Sequence, residues 1–486
     1  MRRDFHIFTT GKLLIILLVL VGISLKAQQN NTLFFMHALP EANYINPAVQ
    51  NECGVFIGLP LLSSFHMNVA NNGFTLGQLL NRQSDGSYTI DADNVLNRLW
   101  RRNYFSSEAH SVLFAAGLKR GKYYYTFSVT EKSNLTGIYT RDLVAFGLEG
   151  NTQFEGEWID LNGSGILLSH LREYAFGISK RYSRNFTMGA KVKLLFGKLN
   201  VETTRSNIQM YTQPNTLDLL FDMDAAYNSS MPYSIETDDQ GNYNIEKRYD
   251  ASVMQYLMNR QNPGLAIDLG FIYRYSDRIT LSGSLLDAGL IWYRSNLTNY
   301  SLQGNYLYQG PLGDTAVHEE FLWDVFDALN ENLAVGLGYE PYLNFLSPRI
   351  NLGAAYKMNN KVDLNVLVFS YIVPGYIQTG TTLSLLTRPS KTLEASVSWS
   401  YMHRSFSNVG LGVAYGKTPL QVYFVTDNIL GFILPMSAKN VNLRLGLNLN
   451  LGCREETDIE QCGCAWLRDA ETRQARNEKL KKRQYR

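Results

Sequence analysis

The stretch Val441-Asn442-Leu443-Arg444-Leu445-Gly446-Leu447-Asn448-Leu449-Asn450-Leu451 places an aliphatic residue at every odd position and Asn, Arg or Gly at every even one. An extended strand sends successive side chains to opposite faces, so one face here is a continuous aliphatic row and the other is wet. Strands of about 9–11 residues cross a bilayer at a tilt, apolar side to lipid and polar side to a lumen. Soluble strands average only about 5–6 residues, which turns this run toward the membrane.

The same dyad pattern recurs upstream. Tyr123, Tyr125, Phe127 and Val129 alternate with Tyr124, Thr126, Ser128 and Thr130. Met188, Ala190, Val192 and Leu194 alternate with Gly189, Lys191 and Lys193, while Leu265, Ile267, Leu269 and Phe271 oppose Asp268 and Gly270. Leu393, Ala395, Val397 and Trp399 enclose Ser396 and Ser398. Short turns such as Tyr182-Ser183-Arg184-Asn185 and Met358-Asn359-Asn360-Lys361 link several of these segments. The expected fold is an all-β, transmembrane antiparallel barrel of 14 to 18 strands, with 14 as the preferred number because single-chain bacterial barrels are even-numbered. A β-sandwich is the competing reading, since it also alternates at 8–12-residue spacing.

The chain of 486 residues carries 45 Lys and Arg against 43 Asp and Glu, a balance unlike that of a nucleic-acid-binding protein. Its 30 Tyr and 24 Phe, with only 18% charged residues, suit aromatic girdles around a polar lumen. Arg2, Arg3 and Lys12 precede an apolar run from Leu13 to Leu25, with Ala27 before Gln28. That is the pattern of an export signal over residues 1–27. Residues 28–107, weak in alternation, are expected to form a cap or plug, with an amphipathic helix over Asp91–Arg102. The barrel is expected over 108–452. Two polar interruptions, 227–262 and 314–332, read as long loops with helices at Asp250–Arg260 and Glu319–Leu329. Residues 453–486 read as a basic periplasmic tail.

Cys53, Cys453, Cys462 and Cys464 suggest disulfides in an exported chain, and a bond from Cys53 to a tail cysteine would tie the cap to the barrel foot. Zinc ligation in the tail is the lesser reading, because Cys-x2-Cys spacing and histidine are both missing there. Lys191, Lys193, Asp268, Arg274 and Arg444 are expected to line the lumen. Mature histidines are few (His37, His66, His110, His170, His318 and His403), and Ser169-His170 and His110-Ser111 are neighbours in sequence whose side chains face opposite ways on a strand. No nucleotide or metalloprotease motif is present. The chain therefore reads as a non-enzyme with no cofactor and no metal. A channel, transporter or secretion-associated component of the outer membrane leads. A structural or adhesion barrel anchoring a surface partner comes next, and a barrel hydrolase last.

The run Pro40-Glu41-Ala42-Asn43-Tyr44-Ile45-Asn46-Pro47-Ala48 with Gly58-Leu59-Pro60, and Thr426-Asp427-Asn428-Ile429-Leu430-Gly431 near the C-terminus, resembles a Bacteroidota outer-membrane barrel family of unknown function. Asn46-Pro47-Ala48 is also similar to an element of the PorP/SprF-like membrane proteins of the type IX secretion system. More distantly, the architecture is similar to FadL-type hydrophobic-compound transporters. These resemblances imply a cell outer membrane location, contact with its lipid, and cell-envelope or secretion proteins as partners.

Overall fold

The computed structural model describes residues 30–85, 87–237, 243–247, 253–309, 328–329, 331–373, 376–402 and 405–453. The export signal, Cys462, Cys464, the basic tail and most of the helix expected at Glu319–Leu329 lie outside them. Among the described residues, no helix is long and apolar enough to cross a membrane.

The alternating segments close into the expected antiparallel barrel of 14 strands. Arg102–Arg120, Tyr123–Thr140, Gly165–Arg181 and Phe186–Thr212 pair in sequence, followed by Asn262–Arg274, Ile279–Tyr293 and Arg349–Lys357. Val362–Val373, Tyr376–Ser390, Leu393–Met402, Ser405–Tyr415, Leu420–Thr426 and Asn440–Cys453 complete the meander. Closure comes from residues expected to be cap or plug. Cys53–Gly58 and Phe65–Asn71 together make one wall strand, paired to Asn440–Cys453 on one side and Arg102–Arg120 on the other. The expected boundary at residue 107 is thus displaced. Leu59-Pro60 and the turn to Ser64 interrupt the strand, since proline cannot donate to a ladder, and the interruption hid the alternation.

The two faces sort as the dyad period requires. On Asn440–Cys453 the side chains of Asn442, Arg444, Asn448 and Asn450 are buried inside, while Leu445 and Leu451 face outward. Tyr182, Tyr275, Tyr356 and Tyr415 are exposed near the short turns, and Trp292, Trp399 and Phe406 near the opposite rim. Two aromatic belts around an aliphatic band mark a wall built for lipid, and only a closed barrel satisfies a β backbone there.

Short turns sit at the rim that also holds Cys53 and Cys453, and long excursions at the other. On the long-loop side the wall is prolonged by Leu219–Ser230, Leu297–Tyr308 and Ala334–Gly338, which stack beside the upper half of Phe186–Thr212. Ile159, Met210, Leu219, Phe221, Leu302 and Leu333 form a hydrophobic core there. The helix expected at Asp91–Arg102 shortens to Ala92–Leu96, because the wall strand already begins at Arg102. Val95, Leu96 and Leu99 are buried, but Trp100 is exposed. Of the helix expected at Asp250–Arg260, the described residues 253–260 are helical over Val253–Leu257, and Tyr227–Ser230 of the expected loop belongs to a strand.

Candidate functional site: a plugged lumen

Residues 30–52 lie inside the barrel. Two short 3-10 turns, Leu33–Phe35 and Pro40–Tyr44, set Leu33, Phe34, Phe35, Met36 and Leu39 against Leu367, Phe369, Leu386, Met402 and Val425 of the inner wall. This explains why Val362–Val373 turns apolar on both faces around Val366–Phe369: Val366 and Val368 meet the outside, and Leu367 and Phe369 meet the plug.

Polar contacts fix the plug at both ends. The Asp427 carboxylate accepts hydrogen bonds from the backbone N–H groups of Asn30 (2.5 Å), Asn31 (3.2 Å) and Thr32 (2.8 Å), a cradle of successive amides around one anion. Thr32 Oγ1 and Ser398 Oγ are 2.7 Å apart. Arg444 donates from Nε to Asn30 Oδ1 (3.0 Å) and from Nη1 to Ser64 Oγ (2.7 Å). In the middle, Asn448 Nδ2 donates to Glu41 Oε2 (3.0 Å) and Lys191 Nζ to the Asn43 carbonyl (2.7 Å). The Asn46-Pro47 corner rests on two wall glycines. A Cβ at Gly189 would overlap the Pro47 carbonyl, and one at Gly270 would overlap Asn46 Oδ1, so the chain needs bare backbone at both positions. At the far end Cys53 is disulfide-bonded to Cys453, joining the plug's exit to the last wall strand.

Beside the plug lies a neutral cluster of three cations and three carboxylates. Lys193 Nζ reaches Asp268 and Asp287, each at 2.6 Å; Lys132 Nζ reaches Glu173 at 2.6 Å, and Arg349 Nε reaches Asp287 at 3.3 Å. A second group joins Glu131 to Arg172 (2.7 Å), His170 (3.1 Å) and Lys198. Mutual pairing is what allows so many charges to stay out of bulk water.

The structure places Lys191, Lys193, Asp268 and Arg444 in the lumen, all buried. Arg274 stands apart, exposed at the short-turn mouth, where it lines a vestibule of about 740 Å³ with Arg184, Lys361, Arg388, Lys417, Glu52 and Glu394. Glu173, Lys132, Asp287 and Arg349 escaped the sequence reading. Asp287 sits in a bulge with a φ of +55°, opposite the slip between Ile267 and Leu269, so alternation alone misplaces it. Ser169 and His170 do not form a dyad: His170 Nδ1 lies 2.6 Å from Tyr256 Oη instead.

Sequence reasoning also passed over His66, Glu108 and His110, which lie together on the inner wall. The Glu-x-His pattern over Glu108–His110 could have shown two same-face donors on one strand. Their partner His66 falls in the stretch expected to be cap or plug.

Fold and site define a closed, membrane-spanning β-barrel whose lumen is filled by its own N-terminal segment. The chain belongs to a family of unknown function, DUF5723, whose model matches residues 47–427. No curated protein matches it. Among solved structures it is similar to a Pseudomonas aeruginosa FadL homologue, at 10% identity over 88% of this chain and 100% of that one, with a TM-score of 0.39. It is also similar to the Ralstonia pickettii toluene transporter TbuX, at 9% identity over 85% and 94%, TM-score 0.38. The third is the Pseudomonas putida toluene transporter TodX, at 10% identity over 84% and 91%, TM-score 0.36. Likenesses this distant carry no assignment.

Proposed function

We propose that the protein is a gated, non-enzymatic channel of the outer membrane, in which the segment 30–52 is the gate. The carrying observation is how that segment is held. One end is covalently tied to the wall through Cys53–Cys453, and the other is retained by hydrogen bonds to Asp427, Ser398 and Arg444. Such an arrangement lets the segment shift within the lumen without leaving it.

The wall behind the plug supplies paired charges and amides rather than an open hydrophobic tube. The short-turn mouth is rich in Arg and Lys, which favours anions over cations in a water-filled passage. Asn46-Pro47 is engaged inside the barrel by Gly189 and Gly270, so a role in docking a secretion partner would require these residues to leave that seat.

The test is conductance of the purified protein in planar bilayers. Gly189→Ala, which unseats Pro47 while leaving the wall ladder intact, is expected to raise the open probability severalfold, with a reversal potential favouring anions in a salt gradient. A conductance that stays at the background level in Gly189→Ala and in Asp427→Ala would turn the reading toward a structural barrel.

A further inference from the structure

We propose that His66, Glu108 and His110 form a binding site for one divalent ion of the zinc class on the inner wall of the barrel. His66 is the cross-strand partner of His110, and Glu108 precedes His110 by two residues, so strand period brings all three to the lumen face. One ligand atom from each lies within 4.8 Å of the others, and the three side chains are buried at 1%, 7% and 7% exposure.

The spacing suits an ion better than a hydrogen-bond network. His66 Nε2 and Glu108 Oε2 stand 3.8 Å apart, too far for a hydrogen bond. Two ligands about 2.0–2.1 Å from a tetrahedral ion are themselves separated by roughly 3.4 Å, so a small closure would complete the contact. The independent mark is His66 itself: it is buried, and among the described residues neither Nδ1 nor Nε2 has a hydrogen-bond partner. An orphaned ring in such a place is the group that a coordinated ion would satisfy.

His110 has the outer support that metal-bound histidines use. Its Nε2 lies 2.9 Å from Asn134 Oδ1, and when Nε2 donates there, Nδ1 carries the lone pair. Two imidazoles and one carboxylate select a borderline late d-block ion over Ca²⁺ or Mg²⁺, which take mainly oxygen ligands. Arg444 and Arg349 stand nearby, but each is already engaged, by Ser64 and Asn30 and by Asp287 respectively. A cavity of about 70 Å³ bordered by His110, Asn30 and Asn31 leaves room for water beside His110. The ion would thus sit where the leading end of the plug meets the wall.

The experiment uses the full chain carrying Cys462→Ser and Cys464→Ser, folded in detergent, stripped with chelator and titrated with Zn²⁺ by calorimetry. One equivalent is expected to bind. His66→Gln and Glu108→Gln should each weaken binding by at least a hundredfold, and Asn134→Ala by about 10–100-fold. The heat-dependent gel mobility of each variant checks that the barrel persists. If a variant fails that check, the Co²⁺ and Cu²⁺ spectra of the unmutated site decide: bound imidazole nitrogen supports the site, whereas oxygen-only ligation overturns it. Zn²⁺ binding unchanged in folded His66→Gln and Glu108→Gln, or no stoichiometric binding to the stripped protein, would also overturn it.

Discussion

Glu41 and His37 both belong to the plug, Glu41 fully buried and His37 half-buried beside the short-turn vestibule, and they titrate in opposite senses. Burial pushes the Glu41 carboxyl up to about 8, against the amide of Asn448 and the charge of Arg444 that favour its ionised form. Burial, aided by Arg388, lowers the His37 imidazole to about 4. A raised acid favours docking below its ordinary value of 4.5 and loses that contribution as pH climbs to about 8. A lowered histidine contributes fully above 6.5 and loses its part as pH falls to about 4. The two terms oppose each other between about 4.5 and 6.5, so docking should weaken as pH climbs from about 6.5 to 8, level off beyond that, and weaken again below about 4.5. Conductance is expected to rise as pH climbs from about 6.5 to 8, and Glu41→Gln should abolish that alkaline limb while leaving the acid one. An identical alkaline rise in Glu41→Gln would remove Glu41 from the account. Asp427→Asn keeps the shape of the amide cradle but removes its charge, and should weaken retention of the plug by about 1–3 kcal/mol. Accelerated labelling of a cysteine at position 32 measures it. At this scale the sequence was half legible. Lys191, Lys193, Asp268 and Arg444 stand in the lumen because parity alone sets their face. Their partners depend on register, and the Asp287 bulge changes register without any sign in the alternation.

Among the elements, the wall strand formed by Cys53–Gly58 and Phe65–Asn71 was the hardest to read and does the most to close the barrel. Its two short pieces are held to Asn440–Cys453 by backbone pairs and at the foot by Cys53–Cys453, whose partners are 400 residues apart. A cross-link over so long a loop restricts the unfolded chain strongly. Cys53→Ser is expected to lower stability by about 2–5 kcal/mol, read as a lower temperature for the gel-mobility shift. Peptide mapping without reductant should recover Cys53 with Cys453. Recovery of Cys53 with Cys462 or Cys464 would contradict the pairing. The long strands were legible because lipid on one side and a polar lumen on the other enforce strict alternation. Where the plug covers the inner wall, as at Leu367 and Phe369, that pressure lapses and both faces become apolar.

For the molecule as a whole, closure without a free edge and an aromatic-flanked apolar band argue for a membrane barrel independently of any relative. What the sequence left open was whether residues 28–107 cap the barrel or plug it. A segment that packs only inside a closed cylinder has no periodicity of its own, so residues 30–52 read only as weak in alternation. Their role depends on contacts made across almost the full length of the chain, such as Asn30 with Asp427. The direct test is a reversible lock on this segment. Thr32→Cys with Ser398→Cys places thiols where two hydroxyl oxygens lie 2.7 Å apart. Single-channel recordings of the Gly189→Ala background carrying this pair should show silence when oxidised and restored openings when reduced. Openings that persist unchanged in the oxidised, verified cross-link would contradict the claim that residues 30–52 gate the barrel.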